Sequence, residues 1–181
     1  MRVIAGTARG KNLQALPGED ITRPTINRVK EAMFSSVQFL VPGARVLDLF
    51  AGSGQLASRL CPAVPKLPLC GPLREALAVV KANCKTAGVD RQSDIRQGEA
   101  ESFLANIRGP FDLALLDPPF HHDTVAAVLP LLAAKMAPRR GRALRAEREA
   151  DLPEQVGALT LVKQYNYGKI KVSRYERGEE V

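Results

Sequence analysis

The sequence predicts an α/β fold of Rossmann type: a mostly parallel sheet covered by helices on both faces and finished by an antiparallel hairpin. Three observations predict it. Apolar strand-like runs alternate with helical runs from residue 45 onwards, and such alternation builds a parallel sheet between two helical layers. The first run, Arg45 to Phe50, breaks into the turn Gly52-Ser53-Gly54, where residues without a Cβ let the backbone bend tightly and approach a ligand. The last two runs, 159–166 and 169–176, meet at Tyr167-Gly168 with no helix between them, so they should pair as a hairpin.

Residues 1 to about 22 read as two short strands around turns, with Arg2, Arg9, Lys11 and Arg23 set among small residues. Two roles fit such a segment. It is either an edge hairpin whose charges discourage aggregation or an extension that holds nucleic-acid phosphates. A helix is expected over Ile26 to Phe39, because Ile26, Val29, Met33 and Val37 form one apolar stripe. Pro24 keeps Arg23 extended, and Thr25 is placed as the helix N-cap. Pro42-Gly43 separates this N-terminal unit, residues 1–42, from a core of residues 43–181.

Within the core, strands are expected at 45–50, near 66–70, and at 94–97, 111–117, 142–146, 159–166 and 169–176, seven in all. Helices are expected after Gly54 and over 72–87, 100–108 and 123–136. Leu73, Leu77, Val80 and Cys84 stripe the 72–87 helix, and Gly88 stops it. Strand 111–117 runs into Asp117-Pro118-Pro119-Phe120. Prolines cannot continue a central strand, so this is a rigid turn with Asp117 and Phe120 on either side.

Composition narrows the function classes. The 181 residues are 45% hydrophobic and 25% charged, the balance of a folded globular protein rather than a disordered one. A net charge of +7 favours a polyanionic partner. Cys61, Cys70 and Cys84 have no paired spacing and His121 and His122 are adjacent, so no metal site is expected. The longest apolar run, Val125 to Leu132, is too short to span a bilayer, and no secretory signal is recognised. A cytoplasmic, reducing location and a monomer are expected.

The pairing of Asp48-Leu49-Phe50-Ala51-Gly52-Ser53-Gly54 with Asp117-Pro118-Pro119-Phe120 resembles the S-adenosylmethionine-dependent methyltransferases that modify exocyclic or amide nitrogens. With the opening Met1 to Lys11 and with Arg23-Pro24-Thr25, nearly the whole chain resembles the RsmD family of bacterial 16S rRNA guanine-N2 methyltransferases. The resemblance implies S-adenosyl-L-methionine as cofactor and ribosomal RNA, or a small-subunit assembly particle, as partner. Asp48, Phe50, Gly52, Ser53 and Gly54 would receive the methionine end of the cofactor. Glu99 and Ala100 would meet its adenine; Glu99 can equally be read as an acid favoured by a helix N-terminus, and Phe103 as ring cover or core. Asp117, Pro118, Pro119 and Phe120 would be the catalytic turn, with Phe120 stacking on the base. Arg2, Arg9, Lys11, Arg23 and Thr25 would face the RNA.

One segment departs from the family. Residues 56–72 hold Pro62, Pro65, Pro68 and Pro72, and no acid occurs between Asp48 and Glu75. In the family this stretch carries a regular helix and then a strand whose terminal acid accepts hydrogen bonds from the cofactor's ribose. Either a local reading-frame slip or a divergent loop accounts for the difference, and weak cofactor binding is expected in both cases. Two alternatives to rRNA methylation stand: an RNA-binding relic that has lost its cofactor through this segment, or an amino-methyltransferase acting on adenine or protein glutamine, in which Asn-Pro-Pro-Tyr is the commoner turn and against which Asp117 and the basic N-terminus argue.

Overall fold

The computed structural model describes residues 10–16, 24–54, 67–71, 74–118, 123–138, 141–148, 153–168 and 170–178. Helix α1 (Pro24–Val37) and a short 3-10 turn (Gln38–Leu40) precede the sheet. Then come β1 (Val46–Asp48), β2 (Leu67–Gly71), α2 (Arg74–Ala87), β3 (Ser93–Gln97), α3 (Ala100–Asn106), β4 (Leu113–Leu116), α4 (Asp123–Ala133) and β5 (Arg142–Arg148). The chain finishes with β6 (Gln155–Val156), β7 (Leu159–Tyr167) and β8 (Ile170–Arg177).

Among the described residues the sheet has eight strands in the order β3-β2-β1-β4-β5-β8-β7-β6, not the expected seven. β3, β2, β1, β4 and β5 are parallel, and β8, β7 and β6 are antiparallel. The additional strand, β6, pairs through only Gln155 and Val156, too short to leave an alternating pattern in the sequence. The hairpin forms where expected, with Tyr167 opposite Ile170 and Gly168 at φ 61°, a conformation that glycine adopts without steric cost. Chain order reverses between β1 and β4, and in open parallel sheets ligands bind outside the strand carboxyl ends at such a point.

The core has two halves, one on each face of the sheet. Val29, Met33 and Val37 of α1 and Val80 and Cys84 of α2 pack with Val46, Leu69, Leu113 and Leu115. Leu104 of α3 and Val128, Leu129 and Leu132 of α4 pack with Leu47, Cys70, Ala114 and Leu116. Successive residues of β4 thus go to opposite faces, and both are buried, which is why the strand reads as an unbroken apolar run. Each such leucine contributes about 1.5–3 kcal/mol of burial free energy. Among the described residues no helix is long and apolar enough to cross a membrane. Cys70 and Cys84 are free, buried thiols, while Cys61, His121 and His122 lie outside the described residues.

Two local expectations change. α1 begins at Pro24, so Thr25 sits in its first turn and is not its N-cap. Proline suits the first helical position because its missing N–H would have no intrahelical partner there. The strand near 66–70 is present as β2, with Pro68 in register with Asp94 of β3. Pro68 has no N–H to donate, and the register to β1 is short, a single pair, Asp48 with Leu69. Neighbours on both sides hold β2 in place despite the proline. The helix expected after Gly54 and the rest of the proline-rich segment lie outside the described residues, as does the first of the two strands expected over residues 1–22; the second, at Lys11-Asn12-Leu13, is reduced to a single bridge residue, Asn12.

Candidate active site

β1 ends in Asp48, which is 1% exposed. Beyond it the chain crosses the sheet edge through two backbone bonds, Leu49 N–H to the Leu115 carbonyl (3.1 Å) and Ala51 N–H to the Cys70 carbonyl (3.0 Å). The turn then closes by Gly54 N–H to the Ala51 carbonyl (2.6 Å), with Gly52 at φ 51° and Gly54 at φ 77°. A Cβ on Gly54 would stand 3.4 Å from Val80 Cγ1, so the turn lies close against α2. Ser53 is buried, its carbonyl accepts from Asn83 Nδ2 (2.7 Å), and its Oγ has no hydrogen-bond partner among the described residues. A buried hydroxyl left in that state invites a ligand group. Phe50 is half-buried and packs against the α3–α4 half of the core.

The ends of β2 and β3 lie beside this turn. Glu99 is exposed at the start of α3 and its side chain does not cap the helix; its carbonyl accepts from Phe103 N–H (2.9 Å). Ala100 and Phe103 are both buried in the α3–α4 half of the core. Cys70 Sγ donates to the Gly98 carbonyl (3.2 Å). Burial pushes its thiol up to about 11, with Glu99 and then Asp48 adding to the effect. The thiol thus stays neutral.

β4 neighbours β1, with Leu115 opposite Asp48. Asp117 follows two residues later, roughly 7 Å further along the strand direction. It and Pro118 are half-buried at the same edge; Pro119 and Phe120 lie outside the described residues. The glycine turn and the Asp117 turn, some sixty residues apart in sequence, are thereby brought together by adjacent strands. Lys11 is exposed on the N-terminal segment, whereas Arg2, Arg9, Arg23 and the side chain of Thr25 lie outside the described residues.

The end of β2 lacks what a bound adenosine would need. Gly71 terminates it, with no carboxylate to meet ribose hydroxyls. The residues present thus fit the methionine and adenine ends of the cofactor better than its ribose. Asn83 fastens the glycine turn, and its signal in the sequence is a polar residue beside Val80 and Cys84 on the apolar face of a helix. The opposite edge of the sheet has a cavity of about 360 Å³ lined in part by Arg45, Asp94, Arg96 and Arg108. There Arg96 is tied to Asp94 (2.8 Å) and Arg45 to the Arg108 carbonyl (3.1 Å).

Comparison with known proteins decides the family. The model of the family described as "Conserved hypothetical protein 95" matches residues 1–176. The chain belongs to this family, the RsmD family of methyltransferases. It is 33% identical to YlbH of Bacillus subtilis over 98% of this chain and 99% of that one. It is 32% identical to ribosomal RNA small subunit methyltransferase D of Haemophilus influenzae, over 84% of this chain and 81% of that one. The solved structure of YhhF of Escherichia coli superposes with a TM-score of 0.84 at 24% identity, covering 99% of each chain, which establishes the shared fold. The RsmD-type methyltransferase fold thus extends over the described parts of this chain, including β2 in the atypical segment.

Proposed function

We propose that this chain methylates the exocyclic N2 amino group of a guanine in small-subunit ribosomal RNA. The observation that carries the reading is the adjacency of β1 and β4, which sets the Asp48–glycine turn beside Asp117-Pro118 at one sheet edge. S-adenosyl-L-methionine, when bound, supplies an electrophilic methyl group. Asp48 suits the ammonium of its methionine end, Ser53 Oγ and the N–H groups of the turn suit the carboxylate, and Glu99 suits the adenine amino group. Guanine N2 is a weak nucleophile because its lone pair is delocalised into the ring. Asp117 Oδ and the Pro118 carbonyl accept its two hydrogens, which favours a pyramidal nitrogen with the lone pair aimed at the methyl. Phe120 stacks on the base, and Asp117 can take the released proton. Most of the rate enhancement comes from positioning and electrostatics. A guanine in paired RNA has to be flipped out to reach this turn.

In this reading residues 1–42 hold the RNA and residues 43–181 hold the cofactor and the reacting base. Mass spectrometry of ribosomal RNA from cells with and without the gene tests it. One N2-methylguanosine should vanish from small-subunit rRNA; an unchanged set of modifications, or loss of a methyl on adenine instead, would overturn the assignment.

The N-terminal basic residues have their own test. Charge reversal at Arg2, Arg9 and Lys11 should weaken RNA binding and flatten its salt dependence, each lost phosphate contact lowering the slope by roughly 0.7–0.9. Binding isotherms across a salt series check this, and an unchanged slope would make the segment structural.

A further inference from the structure

The side chain of Asn83 joins two parts of the molecule that the proposed function keeps separate. It is 1% exposed on α2. Its Oδ1 accepts from the backbone N–H of Gln14 (2.8 Å), and its Nδ2 donates to the Gln14 carbonyl (2.9 Å) and the Ser53 carbonyl (2.7 Å). The amide orientation follows from its partners, because a backbone N–H can only donate and carbonyls can only accept. Both amide hydrogens and the oxygen are therefore used. Gln14 is held on both its backbone groups, as a strand neighbour would hold it. Leu13 beside it is 6% exposed within the α1–α2 half of the core, and Lys11, three residues before Gln14, is exposed.

We propose that Asn83 is a positioning residue that couples docking of the N-terminal segment to the order of the glycine turn, so that polyanion capture and cofactor binding strengthen each other. This rests on the assignment of the glycine turn to the cofactor and of the N-terminal segment to RNA. If Gln14 leaves, a buried amide oxygen loses its donor and one amide hydrogen its acceptor, a costly state. Asn83 then relaxes, and the Ser53 carbonyl loses the bond that fastens the turn to α2. RNA that engages Lys11 and its neighbours favours the docked segment and hence the ordered turn. By linkage, a cofactor on the turn favours RNA binding by the same factor.

Gln14→Pro tests the clamp without touching a buried side chain: it deletes the N–H that Oδ1 accepts and leaves Asn83 and Ser53 as they are. Gln14→Ala is its control, since only the backbone of residue 14 is used. Two readouts are needed, amide hydrogen exchange of Ser53 and Gly54 in the free protein, and calorimetric titration of S-adenosylmethionine with and without a short RNA hairpin. In the wild type and in Gln14→Ala the hairpin should tighten cofactor binding by about five- to tenfold, the scale of one buried hydrogen bond. In Gln14→Pro that factor should fall to about one and exchange at Ser53 and Gly54 should quicken several-fold. Equal exchange rates in Gln14→Pro and wild type would overturn the clamp. Faster exchange with an unchanged hairpin effect would overturn the coupling. A wild-type chain that binds no cofactor overturns the cofactor assignment, and with it the coupling, while the exchange rates still decide the clamp separately.

Discussion

Asp117→Ala should lower kcat for methyl transfer by roughly 10²–10⁴-fold while cofactor affinity stays within a few-fold. The range is that of a lost general base or of a lost preorganised electrostatic contact. Asp117 stands past the end of β4 at the same edge as Asp48, and in the proposed geometry it touches the reacting amino group and not the cofactor. Its removal takes away an acceptor for one N2 hydrogen together with the site that receives the proton. Asp117→Asn keeps an acceptor oxygen and loses the charge, so its activity should fall between the two. Single-turnover assays with a small-subunit RNA fragment, paired with calorimetry for the cofactor, separate chemistry from binding. Undiminished turnover in Asp117→Ala would remove this residue from the mechanism.

Gly71→Glu should tighten S-adenosylmethionine binding by about thirtyfold, corresponding to a charge-assisted hydrogen-bonding interaction of about 2 kcal/mol. The position can take a side chain: its φ lies outside the left-handed region, and a Cβ there would meet Leu77 Cδ2 at 3.5 Å, an ordinary contact. Gly71 ends β2 between β1 and β3, and in the proposed reading, with the methionine end of the cofactor on Asp48 and its adenine on Glu99, a carboxylate there would reach the ribose hydroxyls. The unchanged chain should bind the cofactor weakly. Calorimetry on both chains decides the point. Micromolar binding by the unchanged chain, with no gain in Gly71→Glu, would show that an acid is dispensable here. It would also remove the case for a cofactor-free RNA-binding relic.

Much of the fold was legible because its signals are local. Val46 to Leu49 and Leu113 to Leu116 are buried on both faces and so read as apolar runs, and Val29, Met33 and Val37 mark one helical face. Glycines at 54, 88 and 168 stand where φ is positive. Less legible were features whose cause lies elsewhere in the chain. β2 forms around Pro68 because β1 and β3 flank it, and no local propensity announces that. β6 pairs with the start of β7 through only two residues, Gln155 and Val156. Thr25 looked like a cap by residue type, yet the helix starts one residue earlier, on a proline whose φ is already helical.

The candidate site divides in the same way. The sequence by itself determined the chemical types at the two turns: glycines for a tight approach, an acid at 48, and an acid followed by prolines at 117. Those properties belong to single residues and their immediate neighbours. Only the tertiary structure decided that Asp48 and Asp117 stand at the ends of neighbouring strands, because the pairing of β1 with β4 is a contact between segments more than sixty residues apart. It also decided that Phe103 is core and that β2 ends at Gly71 between β1 and β3. Asn83 shows the physical reason most clearly. Its meaning lies in three hydrogen bonds to backbone groups 69 and 30 residues away, and such partners become visible only once the sheet has brought them within reach.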